Sequence, residues 1–175
     1  DEHQCRRLVE TAVDAFGGID LLVANAGVTM WGRFDELETL DFFDTLLRVN
    51  YLGAVYCTRY ALPHLKRSGG RLVAVSSMTG KTGVPTRTGY AASKHAMVGF
   101  FDSLRVELMM DEPPSGLTIT VACPDFVATP TREKGFGVDG LPVGESPADE
   151  GGMMSAAECA RQILDGTAKR RRELI

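Results

Sequence analysis

Tyr90 and Lys94 stand four residues apart. On a helix that spacing puts both side chains on one face. A tyrosine phenol has an ordinary pKa of about 10, too high for easy proton exchange at neutral pH. A neighbouring ammonium favours the phenolate and lowers that value, so the pair is suited to general acid/base chemistry. A tyrosine that merely packs is the plain alternative, and the surrounding residues decide between them. Ser77 lies just after the apolar run Arg71–Ser76. Asn25-Ala26-Gly27 follows the run Ile19–Ala24, and Pro124–Thr129 follows the run Leu117–Ala122. Asn50 falls between the first two runs.

These groups need elements that hold them. Residues 2–16 read as a helix with Leu8, Val9, Ala12, Val13 and Phe16 on one side, stopped by Gly17-Gly18. Residues 39–66 and 89–110 are helical by pattern, the second closed by Pro113-Pro114. Ser155 with Glu158 forms a capping box that opens a last helix, and Glu173-Leu174-Ile175 looks like the start of another strand. The three apolar runs are nearly continuous, as in strands of a parallel sheet covered on both faces. Helices between them imply right-handed βαβ units. The expected fold is α/β, a doubly wound parallel sheet. Ligands of such sheets lie beyond the carboxyl ends of the strands, where Asn25, Ser77 and Pro124 stand.

Composition narrows the function classes. The chain has 175 residues and a formal net charge of −4, which argues against nucleic acid as a partner. Hydrophobic residues make up 44%, as in a globular domain. No uninterrupted apolar stretch approaches the roughly 18–20 residues of a membrane span, and Asp1-Glu2-His3-Gln4 is unlike a signal peptide. Cys5, Cys57, Cys123 and Cys159 show no metal-ligand spacing, and neither do His3, His64 and His95. No metal site is expected, and the expected compartment is the cytoplasm. Gly135–Gly140 matches G-x-G-x-x-G, but no strand leads into it and no helix follows, so a mobile loop is expected there. Gly80-Lys81-Thr82 lacks the upstream glycine of a P-loop. Lys169–Arg172 reads as cations at a helix C-terminus.

Taken in order, the motifs resemble those of the short-chain dehydrogenase/reductase (SDR) family of the classical type. Asn25-Ala26-Gly27 resembles its post-strand N-A-G, Ser76–Gly80 its serine segment, Tyr90–Lys94 its Y-x-x-x-K, and Pro124–Thr129 its P-G-x-V-x-T. Arg171–Leu174 is similar to the branch that includes hydroxysteroid dehydrogenase-like enzymes. The resemblance implies a Rossmann-like fold and hydride transfer between NAD or NADP and an alcohol or carbonyl substrate. It implies Tyr90 as general acid/base, Lys94 as the group that lowers the Tyr90 pKa and binds the nicotinamide ribose, and Ser77 on the substrate oxygen. It further implies Asn50 holding a water in a relay from Lys94. Asn25, Ala26 and Gly27 would line the adenosine side of the cofactor, and Pro124, Val127 and Thr129 the carboxamide side. An SDR epimerase or dehydratase, or a non-catalytic module that senses a dinucleotide, is the competing reading.

Two departures stand out. Asp125 occupies a position where the family has glycine, and aspartate tolerates left-handed backbone better than most residues. The family's glycine-rich cofactor turn and the residue that selects NAD or NADP are not in the chain. Residues 1–175 are therefore expected to be the central and C-terminal part of one domain, truncated at both ends and a weak binder of dinucleotide by itself. The long segment Thr131–Met154 is expected to close over the substrate. Within it Phe136, Val138, Met153 and Met154 suggest an apolar substrate surface, unless they pack on the domain body. The helices at 51–66 and 90–110 resemble the family's subunit interface, so a homo-oligomer is expected.

Overall fold

The side chain of Asp1 accepts a hydrogen bond from the Gln4 amide at 3.1 Å, and this cap starts α1 (Glu2–Phe16). Gly17 ends it at φ 80°, a left-handed angle that glycine adopts without steric cost. The computed structural model describes residues 1–147 and 151–175. Strands β1 (Leu21–Ala24), β2 (Arg71–Val75) and β3 (Thr118–Ala122) follow in sequence, and all pair in parallel. A short strand β6 (Glu173–Leu174) adds to the far side of β3, giving the order β1-β2-β3-β6. The strand expected at the end of the sequence is thus present. A separate parallel pair joins β4 (Val127–Ala128) to β5 (Met154–Ser155).

Between β1 and β2 the sequence pattern reads as one helix, but the chain forms three pieces. These are α2 (Phe42–Leu47), a π-helical turn (Arg48–Leu52) and α3 (Gly53–Ser68). The other two helices are α4 (Thr88–Met109) and α5 (Ala156–Ala168). Ser155 caps α5 by accepting from the Glu158 amide at 3.2 Å.

The main core forms where alternate strand residues meet helices. Leu72, Ala74, Ile119 and Val121 pack with Val9 of α1, Ala61 and Leu65 of α3, and Met97 and Phe101 of α4. Leu21 and Val23, on the opposite face of β1 by strand alternation, are each 42% exposed, so that face of the edge strand is open among the described residues. The expectation of cover on both faces does not extend to them.

A smaller core holds Met30, Phe42 and Leu46. Phe136 stacks on Phe42 with ring centroids 5.1 Å apart. This corrects the expectation for the Gly-rich segment. It is not a mobile loop, because the Phe136 amide donates to the Thr29 carbonyl at 2.9 Å and its carbonyl accepts from Trp31 N–H at 2.7 Å. Phe136 itself is half-buried and packs against the second core, as Tyr90 does. Within the segment expected to close over the substrate, residues 132–140 pack on the loop after β1, and residues 148–150 fall outside the described residues. The basic run also finds specific partners. Arg170 donates to the Gly116 carbonyl at 2.7 Å and Arg172 lies 3.6 Å from Asp102, which ties the end of α5 to the β3 edge.

Phe101 is fully buried at the centre of the main core. Phe101→Ala is expected to lower the free energy of unfolding by about 3–5 kcal/mol, the usual range for a buried phenylalanine. Urea denaturation measures this, and a loss below about 1 kcal/mol would show that the site collapses around the deletion.

Candidate active site

Ser77 follows the carboxyl end of β2 and caps a 3-10 turn (Met78–Gly80), accepting from the Thr79 amide at 3.2 Å. The Met78 amide donates to the Pro124 carbonyl at 3.1 Å, which locks this turn to the segment after β3. The turn also lies hard against α4. A Cβ built on Gly80 would stand 3.0 Å from the Lys94 carbonyl oxygen and 2.5 Å from Ser76 Oγ. Only glycine permits that approach, and it brings the Ser77 segment to the helix that carries Tyr90 and Lys94.

Tyr90 and Lys94 are both in α4, one turn apart, with the ammonium 5.8 Å from the phenol ring centroid. Burial pushes the Tyr90 phenol above its ordinary pKa. The Ser77 hydroxyl, then Arg87 and Arg132, act in the opposite direction by favouring the phenolate. Lys94 is turned toward the sheet, where its ammonium donates to the Val75 carbonyl at 2.9 Å. Desolvation brings the Lys94 pKa down to about 8. The ammonium thus gives one N–H to the sheet while standing as near the Tyr90 ring as the Arg87 guanidinium does.

Asn50 is fully buried in the π-helical turn. Its Oδ1 accepts from Val28 N–H at 2.8 Å, and its Nδ2 donates to the Val28 carbonyl at 2.9 Å and to Ser93 Oγ at 2.9 Å. Ser93 in turn donates to the Tyr90 carbonyl at 2.7 Å. Asn50 thus clamps the loop after β1 to the α4 turn between Tyr90 and Lys94. A π-turn suits this task because its wider winding places one side chain off the regular helical face, a feature frequent at functional sites.

The remaining expected residues spread along the strand ends. Asn25, Ala26 and Gly27 are exposed after β1. Pro124, Val127 and Thr129 are half-buried after β3, with Val127 in β4. The turn at Asp125 needs no left-handed backbone, since its φ is not positive, so aspartate replaces glycine there without strain. A cavity of about 490 Å³ lies beside Pro124 and Val127, between β4 and α5, and Tyr90 is not in its lining.

Three residues near the phenol carry no motif. Arg87 and Arg132 are buried, and both lie over the Trp31 ring, with guanidinium carbons 3.2 and 5.7 Å from its centroid. The Arg87 guanidinium carbon is 5.7 Å from the Tyr90 ring centroid. Desolvation lowers the Arg87 pKa to about 10, with the neighbouring Arg132 acting the same way and Tyr90 opposing. Thr86, just before Arg87, has φ 67°, a strained angle for a β-branched residue, and its carbonyl accepts from Gly32 N–H at 3.1 Å. The sequence signal for these residues is faint, because an arginine in a loop usually faces water. No group of three or more His, Cys, Asp or Glu side chains suited to a metal ion occurs among the described residues.

The short chain dehydrogenase family model matches residues 1–136. A dehydrogenase/reductase SDR family protein 7-like of Dictyostelium discoideum is 33% identical over 172 residues, 98% of this chain and 52% of that protein. The 11-beta-hydroxysteroid dehydrogenase 1A of Arabidopsis thaliana is 34% identical over 179 residues, 96% of this chain and 48% of that one. The chain spans about half the length of these curated relatives. Among solved structures, an alcohol dehydrogenase from the archaeon Thermococcus sibiricus, complexed with 5-hydroxy-NADP, superposes with TM-score 0.80 at 24% identity, covering 99% of this chain and 69% of that one. ElxO with NADP bound gives 0.67 at 32% identity, covering 75% and 52%.

Two predictions follow from the packing and the burial. Gly80→Ala is expected to lower stability by about 1–3 kcal/mol, because backbone must move to admit the methyl group; thermal melts that match the parent would refute the close approach. Lys94 is the clearer titration. Its pKa is lower folded than unfolded, so between about pH 8 and pH 10 the unfolded state binds the extra proton and stability rises with pH. Lys94→Met should flatten that rise, measured as urea midpoints across this range, and an unchanged slope would assign it to other groups.

Proposed function

The chain belongs to the short-chain dehydrogenase/reductase family, a family of oxidoreductases, and from that premise we propose that it carries the catalytic groups for interconverting an alcohol and a carbonyl with NAD or NADP. The observation that carries this reading is the buried Tyr90 phenol beside the Ser77 hydroxyl, which partly offsets the rise that burial imposes on the phenol's pKa, at the carboxyl ends of the strands. A proton donor and a hydrogen-bonding hydroxyl converge there on a point where one oxygen can sit.

The residues present suit a nicotinamide dinucleotide. The Lys94 ammonium has three N–H donors and gives one to Val75, leaving others for a hydroxyl-bearing group such as ribose. A Cβ on Gly27 would stand 3.4 Å from Asn50 Oδ1 and 3.6 Å from Lys94 Nζ, so the bare glycine keeps that approach open. When bound, the nicotinamide supplies or accepts the hydride. Asn25, Ala26 and Gly27 would then line its adenosine side, and Pro124, Val127 and Thr129 its carboxamide side.

In reduction Tyr90 donates its phenolic proton to the carbonyl oxygen as negative charge builds there. Ser77 donates a hydrogen bond to the same oxygen and stabilises that charge. In oxidation the phenolate takes the proton from the substrate hydroxyl. Asn50 acts as a positioning residue that holds the loop after β1 against Tyr90 and Lys94 through Val28 and Ser93. Pairing of subunits through α3 and α4 is part of the same proposal.

With the full-length protein, Tyr90→Phe is expected to cut kcat by about 10²–10⁴, the usual contribution of a general acid. Ser77→Ala should cut it by about 10–10³ while substrate KM changes less. Absorbance of reduced nicotinamide with a panel of ketones measures both, and a Tyr90→Phe enzyme of undiminished turnover would remove Tyr90 from the chemistry.

A further inference from the structure

Arg87 and Arg132 are 9% and 8% exposed, yet neither has a carboxylate within ion-pair distance among the described residues. Buried guanidinium groups are ordinarily paired, because desolvating a cation without a counter-charge is costly. Arg87 donates a hydrogen bond from Nη1 to Thr29 Oγ1. Arg132 gives Nε to the Val127 carbonyl at 3.4 Å, and its Nη1 is buried with no hydrogen-bond partner among the described residues.

The two cations are held in place by built contacts. Both lie over the Trp31 ring, and the Trp31 indole N–H donates to the Arg132 carbonyl at 3.1 Å. Arg132 also lies over Phe126, with its guanidinium carbon 5.2 Å from that ring centroid. The pieces come from three separate segments: Trp31 after β1, Arg87 before α4, and Phe126 and Arg132 after β3. They meet beside Tyr90, whose ring centroid is 5.7 Å from the Arg87 guanidinium carbon. Both cations favour the Tyr90 phenolate, but burial raises that phenol's pKa, so the neutral phenol at pH 7 supplies no counter-charge to either of them. An anion arriving with the substrate supplies what they lack, and a guanidinium fork matches carboxylate or phosphate oxygens.

We propose that Arg87 and Arg132 form an anion subsite for the substrate, which is therefore an oxo compound, or the matching alcohol, with a carboxylate or phosphate a few bonds from the reacting carbon. This rests on the reading of Tyr90 as the proton donor. Arg132, with a buried Nη1 left without a partner among the described residues, and Arg87, braced by Trp31 and Thr29, together supply the positive charge that the anion meets beside Tyr90.

The test uses the full-length protein and matched probes. Reduction of acetoacetate is compared with that of methyl acetoacetate, and hydroxyacetone phosphate with hydroxyacetone. The acid of one or both pairs is expected to have kcat/KM higher by about ten- to a hundredfold, the size of a charge-assisted contact. Which pair shows the preference identifies carboxylate or phosphate. Arg132→Gln should abolish the preference mainly through KM, and Arg132→Lys should restore part of it. Calorimetric titration with acetoacetate and with inorganic phosphate reads the subsite without turnover. Anion binding that Arg132→Gln removes, in an enzyme that reduces no ketone, would keep the subsite and refute the catalytic reading. Equal turnover of the neutral and anionic members of both pairs in the parent protein would overturn the subsite and leave the catalytic reading standing. That comparison needs no variant, so misfolding of Arg132→Gln does not protect the proposal.

Discussion

The buried carboxamide of Asn50 is the interaction on which the site depends. It is fully enclosed and commits Oδ1 and Nδ2 to Val28 and Ser93, so it joins two segments far apart in the chain. Leaving any of these groups unpaired in the interior costs on the order of 1–3 kcal/mol. That penalty fixes the loop after β1 in one position relative to α4. Trp31 and Met30, a few residues on, then have a defined place, and the segment around Phe136 can pack on them. The π-helical turn that interrupts the path from α2 to α3 aims Asn50 at this junction.

Helix α4 is the common carrier. Its first turns hold Tyr90, Ser93 and Lys94, and its later ones place Met97 and Phe101 in the main core. Core packing thereby sets the height of Tyr90 above the sheet, and the contact with Gly80 sets its distance from the Ser77 turn. Polar geometry at the strand ends is thus anchored by apolar burial below it. The segments after the strands supply Ser77 and Arg132, while the helix supplies Tyr90 and Lys94 and sets where they meet.

Electrostatics at the site differ from what residue spacing suggests. Lys94 shares a helix face with Tyr90, yet its ammonium is bonded to Val75 and carries a pKa lowered to about 8 by burial. Arg87 and Arg132, from segments with no sequence signature, add positive charge that favours the phenolate. Burial and the position of a counter-charge decide ionisation, and both are properties of the assembled molecule.

Much of the framework was legible in the amino-acid order. The run of apolar strand residues separated by helical periods dictates a parallel α/β sheet, because such strands must be buried and parallel neighbours need crossovers. Gly17, Ser155 and Glu158 mark helix ends through local hydrogen bonding, which needs no tertiary partner. The motif residues Ser77, Tyr90 and Lys94 were legible for the same reason, their spacing being tied to single elements. The break at Arg48–Leu52, the inward packing of Phe136 and the role of Asn50 were not, since each depends on residues distant in sequence. The two arginines show the limit most plainly. In the sequence Arg87 and Arg132 are ordinary polar residues of loops, and only the meeting of three post-strand segments encloses them. What the sequence by itself determined is the set of local elements and the groups each one carries. What the tertiary structure decided is which groups lose water and which charges face one another, because solvation and Coulomb energy depend on distances that no stretch of chain contains.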